Sequence, residues 1–391
     1  MKIMLVNTLY SPFQVGGAET SIQMLCEELV RRGYEVRVVT LSNNTMRKCS
    51  TINGVEVIYL PLRNIYWPFT SVKQNVSKRL IWHFIDNYNF LMKHSFRNEV
   101  VRFKPDVIHT NNLAGFSVAV WSVAHSLRIG IVHTSRDYYL LDPNTTLSRK
   151  GVDISKSSFS SFFWSFTKRI HSKKVECYVG ISKFIMHFHL EKKFFKSANS
   201  SYIYNPVSPY INHVDEKKVK RVGFIGRITK EKGFDVFCKI VIQMRERGYI
   251  FNAISAGEYY DTYEALELRE LSEVAHVEHL GRVSTKEFLD SVDIVILPFK
   301  WREPFGRVVV ESALANKKVL INASGGTSEL IELIPSVKTI SLENIEWALR
   351  TKSENESEPD IISLFDVKKI TDEYITVYDQ ARKVTHPNGV V

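Results

Sequence analysis

Residues 294–322 read IVILPFKWREPFGRVVVESALANKKVLIN and contain two apolar runs on either side of a helical pattern. The runs at 294–298 and 318–322 are rich in Ile, Val and Leu, as strands are when both faces of a parallel sheet are covered. Between them, residues 307–316 show helical periodicity after Gly306. Because parallel strands need a crossover of this kind, the stretch predicts a strand-helix-strand unit of an α/β sheet.

The same alternation of apolar runs and helical patterns continues through the second half of the chain. We expect strands at Arg221–Ile225, Phe251–Ala256 and near His276–Leu280, and helices at Phe234–Arg247 and Thr285–Ser291. Residues 209–365 are therefore predicted to form a doubly wound, Rossmann-like α/β domain.

The first half of the chain shows the same pattern and predicts a second Rossmann-like domain over residues 1–208. We expect a helix at Glu19–Arg32 and strands at Met1–Asn7, Glu35–Leu41, Val55–Leu60, Val107–Thr110, Gly130–Thr134 and Val175–Ile181. Two prolines and two asparagines within 202–213 predict the linker. A last helical pattern at about 366–382 is expected to return to the first domain.

Length and composition limit the class of protein. A chain of 391 residues with 44% apolar residues favours two globular domains. The chain opens on a strand-like segment, and no apolar run approaches the roughly 18 residues that span a bilayer, so we expect a cytoplasmic protein. The four cysteines are scattered and predict neither a disulfide framework nor a zinc site: Cys26, Cys49, Cys177 and Cys238.

The formal charge of +10 favours an anionic partner such as a nucleotide, a lipid headgroup or a nucleic acid. No segment is typical of a groove-reading helix or a base-stacking sheet, so nucleic-acid binding is disfavoured. A basic surface that only keeps the protein in solution is the alternative.

The first candidate binding loop follows the strand that ends at Ile225. Ligands of open α/β sheets bind beyond the carboxyl ends of the strands. Gly226 would let the backbone approach a phosphate, while Arg227 and Lys232 would supply positive charge for a diphosphate before Gly233. A basic surface loop in front of a helix is the alternative.

The second candidate loop contains Glu303 and leads to Gly306, where the helix start offers unpaired N–H groups and a positive dipole to an anion. Glu311 lies just over one turn into that helix, where a carboxylate can accept both hydroxyls of a ribose. Glu303 could reach a sugar beyond the phosphates. Alternatively, Glu311 is a solvated helix residue, and Glu303 pairs with Arg302 or Arg307.

In the first half, Gly16 and Gly17 form a loop after the first strand. The Gly-x-Gly-x-x-Gly spacing is absent, and no acidic residue ends the second strand. Nicotinamide chemistry is therefore disfavoured.

Together these motifs resemble the retaining glycosyltransferases of family 4, which have the GT-B fold of two facing Rossmann-like domains with a cleft between them. Glu303 and Glu311 are separated by seven residues, as in the Glu-x7-Glu element of that family. The pairs Gly226-Arg227 and Lys232-Gly233 resemble its phosphate-binding loop, and 325–329 (GGTSE) resembles its next element. The resemblance extends from residue 1 to about 331.

The resemblance implies a nucleoside diphosphate sugar as donor, of the UDP or GDP type, bound mainly by residues 209–365. Glu303 would hold the transferred sugar and Glu311 the ribose, and the base would lie near Gly281, Arg282 and Val283. The implied donor-binding residues are Gly16, Gly17, Arg227, Lys232, Arg282, Val283, Phe305, Gly306, Arg307 and Glu311. No metal or other cofactor is expected, because two cations already meet the phosphates and no carboxylate pair is placed for magnesium.

The acceptor side of such an enzyme would lie in residues 1–208. Residues 131–143 (IVHTSRDYYLLDP) resemble a family segment in which a His-Asp pair lies near the reacting sugar. Arg136 occupies the usual histidine position, followed by Asp137. Either Arg136 supplies a cation there, or His133 serves instead. A buried, hydrogen-bonded histidine is the alternative for His133.

Two segments, 148–174 and 63–104, combine Lys and Arg with many aromatic residues, and they carry seven and eight cations against one and two acids. Such a mixture can rest on an anionic membrane surface at the inner face of the cell membrane. Equally, the rings could pack in the core while the cations are solvated. The membrane interpretation favours a lipid-linked saccharide acceptor in surface polysaccharide assembly.

The rival functions are an epimerase or phosphorylase on the same fold, or a non-catalytic GT-B partner protein.

Overall fold

The computed structural model of the chain describes residues 1–13, 16–70, 74–143, 145, 147–149, 152–153, 159–210, 219–259, 263–351 and 359–385. The strands in this part of the chain are β1 Lys2–Val6, β2 Glu35–Ser42, β3 Lys48–Ile52, β4 Val55–Pro61, β5 Val107–Thr110, β6 Gly130–Ser135, β7 Ser148–Arg149, β8 Val152–Asp153, β9 Cys177–Gly180, β10 Asn199–Tyr202, β11 Arg221–Ile225, β12 Asn252–Ala256, β13 Val277–His279, β14 Ile294–Leu297, β15 Lys318–Ile321 and β16 Val337–Thr339. The α-helices are α1 Gly17–Arg31, α2 Val76–Asn87, α3 Phe90–Phe103, α4 Ala119–Ser126, α5 Phe159–His171, α6 Lys183–Glu191, α7 Phe234–Glu246, α8 Tyr263–Val274, α9 Thr285–Ser291, α10 Arg307–Leu314, α11 Thr327–Leu333, α12 Leu342–Arg350, α13 Pro359–Leu364 and α14 Val367–Thr385.

The chain divides into two compact units. The first unit comprises Met1–Thr146, Ser157–Pro206 and Val367–Val391, and the second comprises Leu147–Lys156 and Val207–Asp366. Residues 211–213 of the predicted linker, and residues 71–73, 150–151 and 154–158 of the basic aromatic segments, lie outside the described residues.

The first unit is built on an eight-stranded sheet with the order β10-β9-β6-β5-β1-β2-β4-β3. Its strands pair in parallel, except that β3 pairs antiparallel with β4 at the edge. From β1 the chain first builds the sheet in one direction, through β2, and then returns to place β5 on the other side of β1. The pair β1/β5 is therefore the topological switch point of this sheet, where ligands of such folds bind.

The core of the first unit lies between this sheet and helices α1 and α14. The inner strands are fully buried, which explains their continuous apolar sequences. Tyr374, Tyr378 and Ala381 of α14 are buried in the same core. The C-terminal helix thus packs on the sheet of the first unit, although it follows the second unit in sequence.

The second unit has a six-stranded parallel sheet with the order β13-β12-β11-β14-β15-β16. After β11 the chain adds β12 and β13 on one side, then crosses back and adds β14 on the other side of β11. The pair β11/β14 is the switch point here. The predicted α/β class with two doubly wound parallel sheets is confirmed.

Candidate active site

The loops that follow β11 and β14 touch each other at the switch point of the second unit. Gly233 ends the first loop with a φ of +83° and lies against the carbonyl of Pro298, just beyond β14. A Cβ atom at residue 233 would come within 1.8 Å of that carbonyl oxygen. Any side chain here would separate the two loops, so glycine is required both for this approach and for the left-handed backbone.

Two further contacts hold the same loops together. The amide of Lys300 donates to the carbonyl of Glu231 (3.0 Å), and Lys300 Nζ lies 2.5 Å from Asp235 Oδ2 in the first turn of α7. The positions of the candidate residues on both loops are therefore fixed by backbone and side-chain contacts.

Lys232 and Glu303, which the sequence places 71 residues apart, meet at this switch point. Lys232 Nζ lies 2.7 Å from Glu303 Oε2, and both side chains are partly exposed, at 18% and 15%. The Lys232 ammonium also lies 4.6 Å from the ring centroid of Trp301 and 5.2 Å from that of Phe299. The pair joins the residue expected to meet the diphosphate to the one expected to meet the transferred sugar.

The loop containing Glu303 is also held from the β15 side. The amide of Gly326 donates to the Glu303 carbonyl (2.8 Å), and a Cβ at Gly325, whose φ is +69°, would come within 2.6 Å of that oxygen. The GGTSE stretch thus supports the candidate loop through its backbone. The sequence resemblance indicated the stretch but not this contact.

Helix α10 begins directly after this loop. Gly306 is its N-cap residue, with a φ of +89°. Phe305 is buried, and its ring centroid lies 6.1 Å from that of Phe365. Arg307 Nε donates to Glu311 Oε1 at 2.6 Å, so the two candidate side chains on α10 form an ion pair one turn apart.

The other expected donor-side residues lie at the ends of β11 and β13. Arg227 is exposed in the loop after β11. Arg282 is also exposed and lies 3.6 Å from Glu258, while Val283 is partly buried. The carbonyl of Gly281 accepts a hydrogen bond from Gly257 (2.8 Å), which ties the ends of β12 and β13 together.

In the first unit, one backbone hydrogen bond and one side-chain hydrogen bond join the segments that follow β1 and β5 at the switch point. The amide of Thr8 donates to the carbonyl of Asn112 (3.0 Å), and the amide of Asn112 donates to Asn7 Oδ1 (3.0 Å). The expected glycine loop lies beyond β1: the amide of Gly16 donates to Glu19 Oε2 (2.9 Å), and Gly17 begins α1.

Arg136 follows β6 and is only 6% exposed. Its Nε donates to Asn111 Oδ1 at 2.9 Å, and its Nη1 donates to Asn205 Oδ1. Burial lowers the pKa of this guanidinium, although arginine stays charged at neutral pH. The cation therefore joins the ends of strands β5 and β6 to the chain beyond β10, and its side chain is buried.

His133 lies within β6 and is 3% exposed. Its Nδ1 is 2.9 Å from Thr110 Oγ1, and its ring packs against those of Trp121 and Phe195. Burial lowers its pKa well below the ordinary value. This geometry favours the alternative of a buried, hydrogen-bonded histidine over a ligand contact.

Asp137, the third candidate residue on the acceptor side, is partly buried and accepts a hydrogen bond from the amide of Tyr139 at 2.9 Å. Burial raises its pKa to about 6.

Beside Asp137 lies a buried cluster that the sequence did not indicate. Tyr139 Oη donates to Asp86 Oδ2 (2.9 Å), and Lys168 Nζ donates to the Tyr139 carbonyl (2.7 Å). Burial raises the pKa of Asp86 and lowers that of Lys168.

A second buried network was also missed. His109 Nδ1 lies 2.8 Å from Tyr378 Oη, and His109 Nε2 lies 2.8 Å from Thr134 Oγ1, which is 3.2 Å from Tyr374 Oη. The network joins α14 to β5 and β6 next to Arg136. His109 and Thr134 lie in buried strands, and the two tyrosines lie in a helix with many polar residues, so no local pattern marks the network.

Comparison with known proteins agrees with this architecture. Residues 15–209 match the family model "Glycosyltransferase Family 4", and residues 219–340 match "Glycosyl transferases group 1". A Klebsiella pneumoniae protein described as an uncharacterized 42.6 kDa protein in the cps region is 42% identical over 379 residues, covering 97% of this chain and all of the relative.

Solved structures share the fold at low sequence identity. Sucrose-phosphate synthase from Thermosynechococcus elongatus superposes with a TM-score of 0.70 at 16% identity, covering 97% of this chain and 98% of that one. HepE from Anabaena, in complex with UDP, gives 0.69 at 16% identity, covering 97% and 100%. The chain therefore has the GT-B fold of glycosyltransferases. It belongs to the family 4 glycosyltransferases.

Among the described residues, no helix is both long and apolar enough to cross a bilayer. In the same part of the chain, no three His, Cys, Asp or Glu side chains are grouped as metal ligands.

Proposed function

We propose that the protein is a retaining glycosyltransferase that moves a sugar from a nucleoside diphosphate sugar to a saccharide acceptor. The observation that supports this most is the switch point of the second unit. There Lys232 and Glu303 lie 2.7 Å apart, on two loops fixed to each other and followed by the start of α10. Cationic, carboxylate and helix-dipole groups are thus combined where α/β folds bind their ligands.

The diphosphate is bound by positive charge from three sources. Arg227 and Lys232 supply side-chain cations, and the N-terminus of α10 after Gly306 supplies backbone N–H groups and a dipole. These groups stabilise the negative charge that develops on the leaving group. The proposed reaction therefore uses no resident metal or other cofactor.

The carboxylates bind hydroxyl groups. Glu303 holds the transferred sugar, and Glu311 holds the ribose from one turn inside α10. The base lies against the backbone of 281–283, next to the exposed Arg282. The structure of HepE with UDP favours a uridine donor, and a guanosine donor is the other choice.

In the reaction, the bond between the anomeric carbon and the diphosphate oxygen breaks, and its electron pair leaves with the diphosphate. The acceptor hydroxyl attacks the same face of the sugar, so the anomeric configuration is retained. Its proton passes to the departing phosphate oxygen. Catalysis rests on positioning and on electrostatic stabilisation of the leaving group.

The acceptor is bound by the first unit near Asp137, while Arg136 positions the strand ends beneath. The location of the Klebsiella relative in a cps region supports an acceptor in surface polysaccharide assembly. We assign a lipid-linked saccharide, which places the enzyme in the cytoplasm at the inner face of the membrane.

A thermal-shift screen against UDP-, GDP- and ADP-sugars tests the donor. A donor at about 100 times its dissociation constant stabilises by roughly 2.7 kcal/mol. Transfer to a membrane extract then tests turnover. The proposal fails if no nucleotide sugar shifts the transition. It also fails if the donor is epimerised, or cleaved by phosphate, without any acceptor.

A further inference from the structure

Helix α2 carries an exposed apolar stripe. Val76, Leu80 and Phe84 recur every fourth residue and so share one side of the helix, and Ile81 lies next to them. All four are between 51% and 71% exposed. In a monomeric protein, contiguous exposed apolar side chains of this size are typical of an interaction surface.

Helices α3 and α5 also carry exposed apolar side chains. Phe90 and Leu91 begin α3, at 71% and 65% exposure. Phe162, Phe166 and Ile170 form a second stripe of every fourth residue along α5 and are about half exposed.

The helices are neighbours within the first unit. The ring of His83 in α2 lies 6.1 Å from that of Trp164 in α5, and the ring of Tyr88 lies 4.9 Å from that of His171. Phe84 and Phe90 line one groove of about 580 Å³ between the end of α2 and the start of α3. We call the exposed side of these three helices the α2–α3–α5 face.

The charges of this face have one sign at the surface. The helices contain two acidic residues, Asp86 and Glu99, and both are buried. Asp86 accepts from Tyr139, and Glu99 is paired with Arg47 and Arg102. Lys78 on α2 and Arg97 on α3 are exposed.

Helix α8 of the second unit shows that exposed apolar residues alone do not distinguish this face. Tyr263, Leu266 and Val274 are exposed there too. However, α8 contains four glutamates within twelve residues. An anionic surface would be repelled by α8 and attracted by α2, α3 and α5.

We propose that the α2–α3–α5 face is a docking surface for a bilayer of anionic phospholipids. Cations at the headgroups and phenylalanines at the acyl boundary are the combination by which interfacial helices bind membranes. The groove, lined by Leu62, Ile65, Phe84, Tyr88, Phe90 and Leu91, takes one lipid chain, with Arg63 near the headgroup phosphate. The inference rests on the proposed lipid-linked acceptor, because docking would bring the first unit to it.

The test is co-sedimentation of the full chain with vesicles of phosphatidylcholine, alone or with about one third phosphatidylglycerol. We expect binding to the anionic vesicles that weakens at high salt. The double variant Phe84→Ser/Leu91→Ser should bind about tenfold more weakly, because it removes two exposed apolar side chains. Lys78→Gln/Arg97→Gln should lose about tenfold on anionic vesicles only.

Matched controls lie in the second unit. Ile250→Ser/Leu266→Ser removes exposed apolar residues there, and Lys239→Gln/Arg247→Gln removes exposed cations. Both should bind vesicles like the wild type. Equal losses in face and control variants would overturn the proposal.

Two other results would also overturn the docking proposal. The first is that the wild type does not bind anionic vesicles. The second is that the wild type forms dimers in solution, that Phe84→Ser makes them dissociate, and that no vesicle binding is seen. The donor thermal shift should be unchanged in all variants. Vesicle binding without any donor shift would therefore refute the proposed function and leave the docking surface standing.

Discussion

In the second unit, the loops at the switch point meet through a glycine packed on a carbonyl and through the partly exposed Lys232–Glu303 pair. In the first unit, the corresponding loops are joined by hydrogen bonds of Asn7 and Asn112, beside the buried cation Arg136. The sheets have the same kind of topology, but the chemistry at the two switch points differs.

The difference indicates which of the two switch points can open its internal contacts and bind a ligand. An ion pair that keeps 18% and 15% of its side-chain surface exposed costs less to separate than a fully buried one, so Lys232 and Glu303 can turn to a ligand. Breaking a buried charged network costs about 3–5 kcal/mol, so Arg136 is held in place. Under the proposed function, the second unit binds and releases the anionic donor, and the first presents a fixed acceptor surface.

The largest effect is expected from Lys232→Ala. Losing a cation that stabilises the leaving diphosphate should lower the transfer rate by about 10²–10³-fold. Stability should fall by about 1–3 kcal/mol, between the cost for an exposed pair and that for a buried one, because both side chains are largely buried. The rate is measured by transfer from the donor that the thermal-shift screen identifies.

Lys230→Ala is the control for this variant, because Lys230 lies in the same loop but pairs with Glu267 on α8. It should retain the wild-type rate within a few-fold. If both variants lose activity equally, the loss reflects the general charge of the loop, and the assigned role of Lys232 is wrong.

The next effect is on stability, through the contact of the two loops. Gly233→Ala should destabilise the second unit by about 3 kcal/mol, because the new Cβ meets the Pro298 carbonyl and the φ is +83°. Gly248→Ala has a similar φ of +86° with nothing within 4 Å, so it should cost only about 1 kcal/mol. Urea unfolding of both variants measures the difference. Similar losses would mean that backbone strain, rather than the loop contact, explains the glycine.

The buried cation of the first unit is tested by Arg136→Lys. Lysine cannot reach Asn111 and Asn205 together as the guanidinium fork does, so we expect a loss of about 2 kcal/mol. Arg227→Lys, at an exposed position, should change stability by less than about 0.5 kcal/mol. Thermal unfolding measures the change in stability of both variants. Equal shifts of the two unfolding midpoints would contradict the comparison.

The sequence predicted strands and helices best where the signal is local. The bounds of β5, β11 and α9 agree with the prediction, and β14 and β15 each end one residue before it. The strands β3 and β10 are among those that were missed. Their sequences, KCSTI and NSSY, are polar and lie at the edges of the sheet, so burial imposes no apolar pattern on them.

At the site, the sequence indicated the strand-end residues but not how they pair. Glu303 was considered as a partner of Arg302 or Arg307, whereas the structure pairs it with Lys232, because the switch point brings β11 and β14 together. Such long-range contacts leave no spacing signal. Lys168 was counted among the cations of a basic segment, and only the packing of α5 shows that it is buried.

The smallest expected effect is a pH dependence of the stability of the first unit. Burial raises the pKa of Glu176 from 4.5 to about 7. Its Oε2 accepts a hydrogen bond from the amide of Ile131, near the N-terminal ends of β6 and β9 and so at the opposite end of the strands from the switch point. The folded unit then binds this proton more tightly than the unfolded chain does. Stability contributed by Glu176 is therefore full below about pH 4.5 and is lost as the pH rises to about 7.

Glu176→Gln removes the charge and keeps an acceptor for Ile131. The variant should match the wild type near pH 4.5 and be more stable by about 1–2 kcal/mol at pH 8, with its donor thermal shift unchanged. The effect should be confined to the unfolding of the first unit, which contains Glu176. Urea unfolding at the two pH values measures it. A variant less stable than the wild type at pH 8 would show that the Glu176 carboxylate is stabilised where it lies, and that burial does not raise its pKa.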